Sequence, residues 1–326
     1  FLAFTYANWG NPAPSFVLLV GDGHYDPKDY LGYGRSSYIP PLLTMADPGI
    51  GETATDNRYV TLIGEDTLPD MMIGRLAVNT PLEAAAMIDK IIEYEQLPLS
   101  QDWQRRVLLV ADNMEAGGSF PGDSEVLKNC CIPEYMTNER VYLGVTHTTI
   151  EVANDAILTG INSGQYIVNY LGHATYGQWA GWDANSNLSG SLLKTSNINS
   201  FTNQGKYPIV LGMTCYEGFF HHPGQLGSAQ ESLAEVITKA ESKGAVASWS
   251  STGASLSFGH NILNQGFVKA AFSDEVKRIG QATQAAKLTL WASGNYLDQI
   301  DTFTLFGDPA LLFKHVYNIY LPMIGK

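Results

Sequence analysis

Ile167-Val168-Asn169-Tyr170-Leu171-Gly172-His173-Ala174 and Pro208-Ile209-Val210-Leu211-Gly212-Met213-Thr214-Cys215-Tyr216-Glu217-Gly218-Phe219 decide how this chain is read. Each segment opens on an apolar run long enough for a buried strand. One run leads into a Gly-His, the other into a cysteine. At the carboxyl ends of neighbouring parallel strands, those two side chains would share a crevice. That is the geometry a thiolate nucleophile and its proton partner need.

The flanking sequence extends the same pattern. Residues 15–20 form another buried-strand run leading into Gly21-Asp22-Gly23-His24-Tyr25-Asp26-Pro27. Residues 28–58 are rich in Gly, Pro, Ser and Tyr and read as a long ordered loop. Residues 58–63 and 71–76 are candidate strands joined by a turn over 66–70. Thr80-Pro81-Leu82-Glu83 is a helix start, with a hydroxyl cap, proline in the first turn and glutamate at the third position. That helix runs to Glu95, and Pro98 closes it. Residues 107–111 are a strand followed by an acidic, glycine-rich loop over 112–123. Helices are expected over 124–136, 154–163, 229–241, 261–272 and 279–297, with strands at 141–143 and 244–249. Strands alternating with helices predict an α/β fold with a mainly parallel sheet.

Length and composition narrow the function classes. The chain has 326 residues, 45% of them hydrophobic, so a sizeable core is within reach. The formal net charge is −13, which argues against nucleic acid as a partner. No apolar stretch is long enough for a membrane-spanning helix. The three cysteines are Cys130, Cys131 and Cys215. Neighbouring cysteines rarely bridge each other, so no disulfide framework is expected. There is no Gly-x-Ser-x-Gly elbow and no phosphate-binding loop, which disfavours a serine hydrolase or an NTPase.

In order along the chain, several short motifs together resemble the gingipain-type cysteine peptidases, peptidase family C25. They are Val17-Leu18-Leu19-Val20-Gly21-Asp22, Ile73-Gly74-Arg75, the helix ending in Tyr94-Glu95, Asn169-Tyr170-Leu171-Gly172-His173, Cys215-x-x-Gly218-x-Phe220 and Phe306-Gly307-Asp308-Pro309. The resemblance implies a caspase-like three-layer α/β sandwich in two subdomains. Residues 1–100 would form the first, lacking its opening part, residues 101–316 the catalytic one, and 317–326 a tail or linker. It implies a cysteine endopeptidase, with Cys215 as nucleophile and His173 as acid/base. The amides of Gly172 and Cys215 would serve as oxyanion donors. A carboxylate from the loop after residue 111 would orient the histidine, with Glu115 preferred and Asp112 close behind.

Glu125 matches the place where arginine-specific members pair an acidic side chain with the P1 guanidinium, so Arg or Lys at P1 is expected. The pocket wall is expected to include Trp249 and Ser250. No organic cofactor is implied. Structural calcium is expected from the family, with ligands unassigned. His24, Asp22 and Asp26 are one candidate group, read first as turn and capping residues, and Asp56, Asp66 and Asp70 are another. A zinc site at His221-His222 lacks an evident third ligand. The partners expected from the resemblance are protein or peptide substrates, with an absent N-terminal segment or propeptide as a further expectation. Location is expected to be secreted or at the cell surface, from the resemblance alone. Two rivals are a sortase-like transpeptidase using the same pair, and a non-catalytic secretion or surface-binding module.

Overall fold

The computed structural model describes residues 1–99, 101–181, 188–224, 231–274 and 276–314. The strands in chain order are β1 (Phe16–Val20), β2 (Leu43–Asp47), β3 (Gly51–Ala54), β4 (Met72–Leu76), β5 (Arg106–Ala111), β6 (Thr137–Tyr142), β7 (Ile167–Leu171), β8 (His173–Thr175), β9 (Gln178–Gly181), β10 (Gly190–Lys194), β11 (Ile209–Met213), β12 (Ala247–Ser251) and β13 (Phe303–Phe306). The helices are α1 (Leu2–Asn8), α2 (Pro81–Gln96), α3 (Phe120–Cys131), α4 (Ile150–Ser163), α5 (Leu233–Lys239), α6 (Ser257–Phe272), α7 (Ile279–Ser293) and α8 (Asp298–Thr302).

One eight-stranded sheet runs β1-β4-β13-β12-β11-β7-β5-β6, and only β12–β13 is an antiparallel pair. Every residue of β7, β11 and β12 is buried, because helices cover both faces. On one face, Leu109, Ile167, Leu211 and Trp249 pack with Leu263 and Phe267 of α6 and Leu290 of α7. On the other, Leu108, Val168 and Val210 pack with Ile157 of α4 and Ile237 of α5. The result is the helix–sheet–helix sandwich that the alternating pattern predicts.

Strands from the two sides of residue 100 share this sheet. They meet where β4 contacts β13, over the single pair Arg75–Phe306. Arg75 is fully buried there, and its guanidinium makes a two-point pair with Asp56 at 2.7 Å for each bond. It also donates to the carbonyls of Gly21 and Ile39 and lies over the Phe220 ring. So many partners are what allow a charge to be buried at the seam.

Several local expectations are corrected. Residues 58–63 form no strand; a 3-10 turn (Asp56–Tyr59) leads into coil whose Leu62 and Ile63 amides are bonded by the Asp70 carboxylate. The loop expected over 28–58 contains the hairpin β2–β3. Cys130 and Cys131 are joined to each other in the last turn of α3. The tail 317–326 lies outside the described residues.

Candidate active site

β7 and β11 are parallel neighbours, with Leu171 opposite Met213. His173 and Cys215 each follow that matched pair by two residues, so the sheet register delivers both to the same end of adjacent strands. Gly172 makes the turn after β7. A Cβ there would stand 2.5 Å from both the Tyr170 hydroxyl and Asp112 Cβ. Those two residues hold the histidine backbone from opposite sides. The Tyr170 hydroxyl donates to His173 O at 2.5 Å, and Asp112 Oδ2 accepts the His173 N–H at 3.2 Å. Asp112 is fully buried, and burial pushes its carboxyl up to about 7 against the pull of the Asn113 and His173 amides.

The imidazole meets a different carboxylate. His173 Nε2 lies 2.6 Å from Glu115 Oε1, and Phe120 packs edge-on to the ring at 5.4 Å. Glu115 sits in a tight loop closed by reciprocal backbone bonds with Gly118 at 3.1 and 3.2 Å. Gly117 leaves the space the pair needs: a Cβ there would collide with Glu115 Oε1 and stand 3.2 Å from His173 Nε2. Ser257, at the start of α6, donates to Gly117 O at 3.1 Å. With Nε2 committed to Glu115, Nδ1 is the ring nitrogen left without a hydrogen bond among the described residues. The two carboxylates that sequence left in competition therefore divide the work, Glu115 on the ring and Asp112 on the backbone.

Cys215 is a free, half-buried thiol. Its Sγ accepts the Ser255 N–H and lies against Ser255 O, both at 3.4 Å. Burial raises its pKa, the nearby Asp47 charge adds to the rise, and the Ser255 N–H opposes them. Among the described residues Sγ has no hydrogen bond to His173, so the resting thiol is not paired with the imidazole. The turn after β11 is tight. Tyr216 has φ +58°, its N–H donates to Gly253 O at 3.1 Å, and the Gly218 N–H donates to Ser251 O at 2.8 Å. No hydrogen bond from the amides of Gly172 or Cys215 is found among the described residues, whereas the His173 amide is taken by Asp112.

One residue beside this thiol was not legible in the sequence. Asp47, at the end of β2, accepts the Gly49 and Ile50 amides at 2.6 and 2.8 Å and the Ala254 amide at 2.6 Å. It thereby ties the hairpin to the loop carrying Ser255. The Asp47-Pro48-Gly49 turn signal was present, but nothing local indicated what it would touch.

The expected pocket residues are engaged within the fold. Glu125 is half-exposed and paired with Arg140 at 2.5 Å, with the Tyr142 hydroxyl donating to it at 2.9 Å. Trp249 is fully buried between Phe267 and Phe303, at 5.3 and 5.2 Å, and Ser250 is buried with its hydroxyl on Ser248. Both belong to the core, because β12 is covered on both faces, and neither lines an open pocket.

The calcium candidates are likewise committed. Asp22 accepts from Gly23 N, Arg35 and Asn79; Asp26 from the Tyr30 and Leu31 amides; Asp66 from Leu68 N. His24 bonds Arg35 O, and Asp56 is the partner of Arg75. Asp22, Glu231 and Glu235 do converge, with ligand atoms within 4.8 Å of one another. The Lys239 ammonium already bonds Glu231 and stands 3.8 Å from Glu235. That cluster holds its own cation and does not fit a calcium cage. His221 is buried, with its pKa pushed down to about 3 by burial, and His222 Nδ1 accepts the Gly224 amide.

Comparison with known proteins fits this geometry. The model of peptidase family C25 matches residues 1–314. Gingipain R2 of Porphyromonas gingivalis is 24% identical over 321 residues, which is 96% of this chain and 39% of that relative. Lys-gingipain W83 of the same organism is 28% identical over 242 residues, 72% of this chain and 12% of the relative. The chain thus spans no more than 39% of the length of either. The crystal structure of the Arg-specific cysteine proteinase gingipain R superposes with a TM-score of 0.73 at 24% identity, over 96% of this chain and 67% of that one. A complex of gingipain pro- and mature domains from P. gingivalis gives 0.71 at 24% identity, over 96% and 68%. Both share this fold, and the chain belongs to peptidase family C25.

Proposed function

We propose that this domain is a cysteine endopeptidase in which Cys215 attacks a peptide carbonyl and His173 moves the protons. The observation that carries the reading is the register of β7 and β11, which delivers the two side chains to one end of adjacent strands. Because burial holds the thiol protonated, its proton passes to the His173 imidazole as attack begins and the C–S bond forms. His173, held by Glu115, then protonates the departing amine. The carbonyl oxygen, charged in the tetrahedral intermediate, is received by the amides of Gly172 and Cys215, neither of which has a partner among the described residues. Water, activated by the same imidazole, releases the acyl group and restores the thiol.

A basic P1 side chain is the first substrate class to test, supported by the names of the Arg- and Lys-directed relatives. Glu125 can serve it only where Arg140 gives up its carboxylate. Secretion or surface display, structural calcium and an N-terminal propeptide belong to the same reading and rest on the family resemblance. The test is hydrolysis of fluorogenic peptides carrying Arg, Lys, Asp, Asn or Leu at P1, with and without an added amine acceptor. Hydrolysis abolished by Cys215→Ala supports the peptidase. Product joined to the amine in preference to water supports a transpeptidase. No turnover of any peptide by folded protein supports a binding module.

A further inference from the structure

Glu217 lies two residues past Cys215, and its side chain is fully buried. The carboxyl occupies space that Gly212 leaves open; a Cβ on Gly212 would overlap Glu217 Oε2. Gly212 is the cross-strand neighbour of Tyr170 on β7 and of Ser250 on β12. The carboxyl therefore rests on the row Tyr170–Gly212–Ser250, at the end of the sheet from which the His173 and Cys215 turns emerge.

Trp179 on β9 completes the enclosure. Its ring stacks on Tyr170 with centroids 4.4 Å apart and planes 13° from parallel, and its indole acts on the Glu217 carboxyl. The Tyr170 hydroxyl donates to His173 O. A continuous path thus runs from the nucleophile turn through Glu217, Trp179 and Tyr170 to the histidine. On the other side, Glu217 O accepts the Ala234 amide of α5 at 3.1 Å.

Among the described residues, neither carboxyl oxygen has a well-formed hydrogen-bond partner. Buried polar groups are ordinarily paired, and a departure from that rule beside reacting groups points to a functional constraint. We propose that Glu217 is a positioning residue, which registers the Cys215 turn against the hairpin that carries His173. The proposal rests on the reading of Cys215 and His173 as the reacting pair.

Burial pushes the Glu217 carboxyl up to about 7, the Trp179 indole and Ser250 hydroxyl oppose the rise, and no charged group contributes. The titratable side chains on the surrounding elements are Tyr170 and, beyond it, His173; Cys215 and Tyr216 in its own turn; and, on α5, Glu235, which burial pushes to about 8, with Lys239. Ionisation of Glu217 therefore places a charge with no ionic partner in a buried enclosure, and the register loosens as pH rises past neutrality.

The test follows peptide hydrolysis, and alkylation of Cys215 by iodoacetamide, across the neutral pH range in the parent, E217Q and E217A. In E217A, kcat is expected to fall about tenfold or more with KM little changed. E217Q should keep kcat within about threefold of the parent on the acid side and lose the parent's decline through neutrality. The alkylation profile of the parent should carry an inflection near pH 7 that E217Q lacks. A folded E217A with parental kcat, or an E217Q that retains the inflection, overturns the proposal. A parent that cleaves no peptide defeats the peptidase reading alone, because the alkylation profiles still decide the role of Glu217.

Discussion

Replacing Glu217 with glutamine should stabilise the protein at neutral pH and leave its stability in acid unchanged. The folded-state carboxyl titrates at about 7, against an ordinary value of 4.5. An acid whose pKa is raised by folding holds its proton more tightly in the native state. Stability is therefore lost as pH rises through the window between the two values, and is constant above it. At about 1.4 kcal/mol for each unit, the pH-dependent loss is about 3 kcal/mol. Full burial leaves no solvent screening to discount. Glutamine keeps the shape over Gly212 but does not titrate, so it escapes the loss. The assay is urea unfolding of both proteins near pH 4 and near pH 8. Taking the difference between them cancels the shared contributions of Asp112 and Glu235, which also titrate high. An advantage of E217Q that is the same at both pH values refutes the burial argument, as does one that grows in acid.

Three further outcomes follow from the site and the seam. Glu115→Gln, which keeps a partner at Nε2 but removes the charge, should lower kcat by about 10- to 100-fold with little change in KM, by steady-state kinetics. Alkylation of Cys215 in the absence of substrate should still be rising at pH 9, because burial and Asp47 hold the thiol above its ordinary value; a plateau near pH 7 would mean a resting ion pair with His173. Asp56→Asn leaves the Arg75 guanidinium buried without its counter-charge and should cost about 3–5 kcal/mol in urea unfolding, while activity assayed well below the new midpoint changes little.

Much of the fold was legible because β5, β7 and β11 are covered on both faces and so read as continuous apolar runs. The same simplicity misled at Trp249 and Ser250. A polar-aromatic strand such as Ala247–Ser251 gives no local sign of whether it is core or pocket, and here Phe267 and Phe303 enclose it. His173 and Cys215 could be placed because each lies two residues past the end of a buried strand. The division of labour between Asp112 and Glu115 could not, because it depends on Gly117 and Gly172 letting one carboxylate reach the ring and the other the backbone. Asp47 was hidden for a related reason. Its partners Ala254 and Cys215 lie far along the chain, and the hairpin bearing it exposes Met45 and Ile50, which blurs the alternation that marks a strand. Glu217 passed unnoticed because an acidic residue in a turn is ordinarily solvated, and only the cross-strand position of Gly212 shows it is buried.

The central claim is that Cys215 is a nucleophile served by His173. The most direct measurement is covalent labelling by a peptidyl acyloxymethyl ketone, read by intact mass and peptide mapping, in the parent, Cys215→Ala and His173→Ala. The account predicts one adduct on Cys215 of the parent, none on Cys215→Ala, and labelling slowed by about 100-fold or more in His173→Ala. A folded parent that takes no label, or equal labelling in Cys215→Ala, would contradict it.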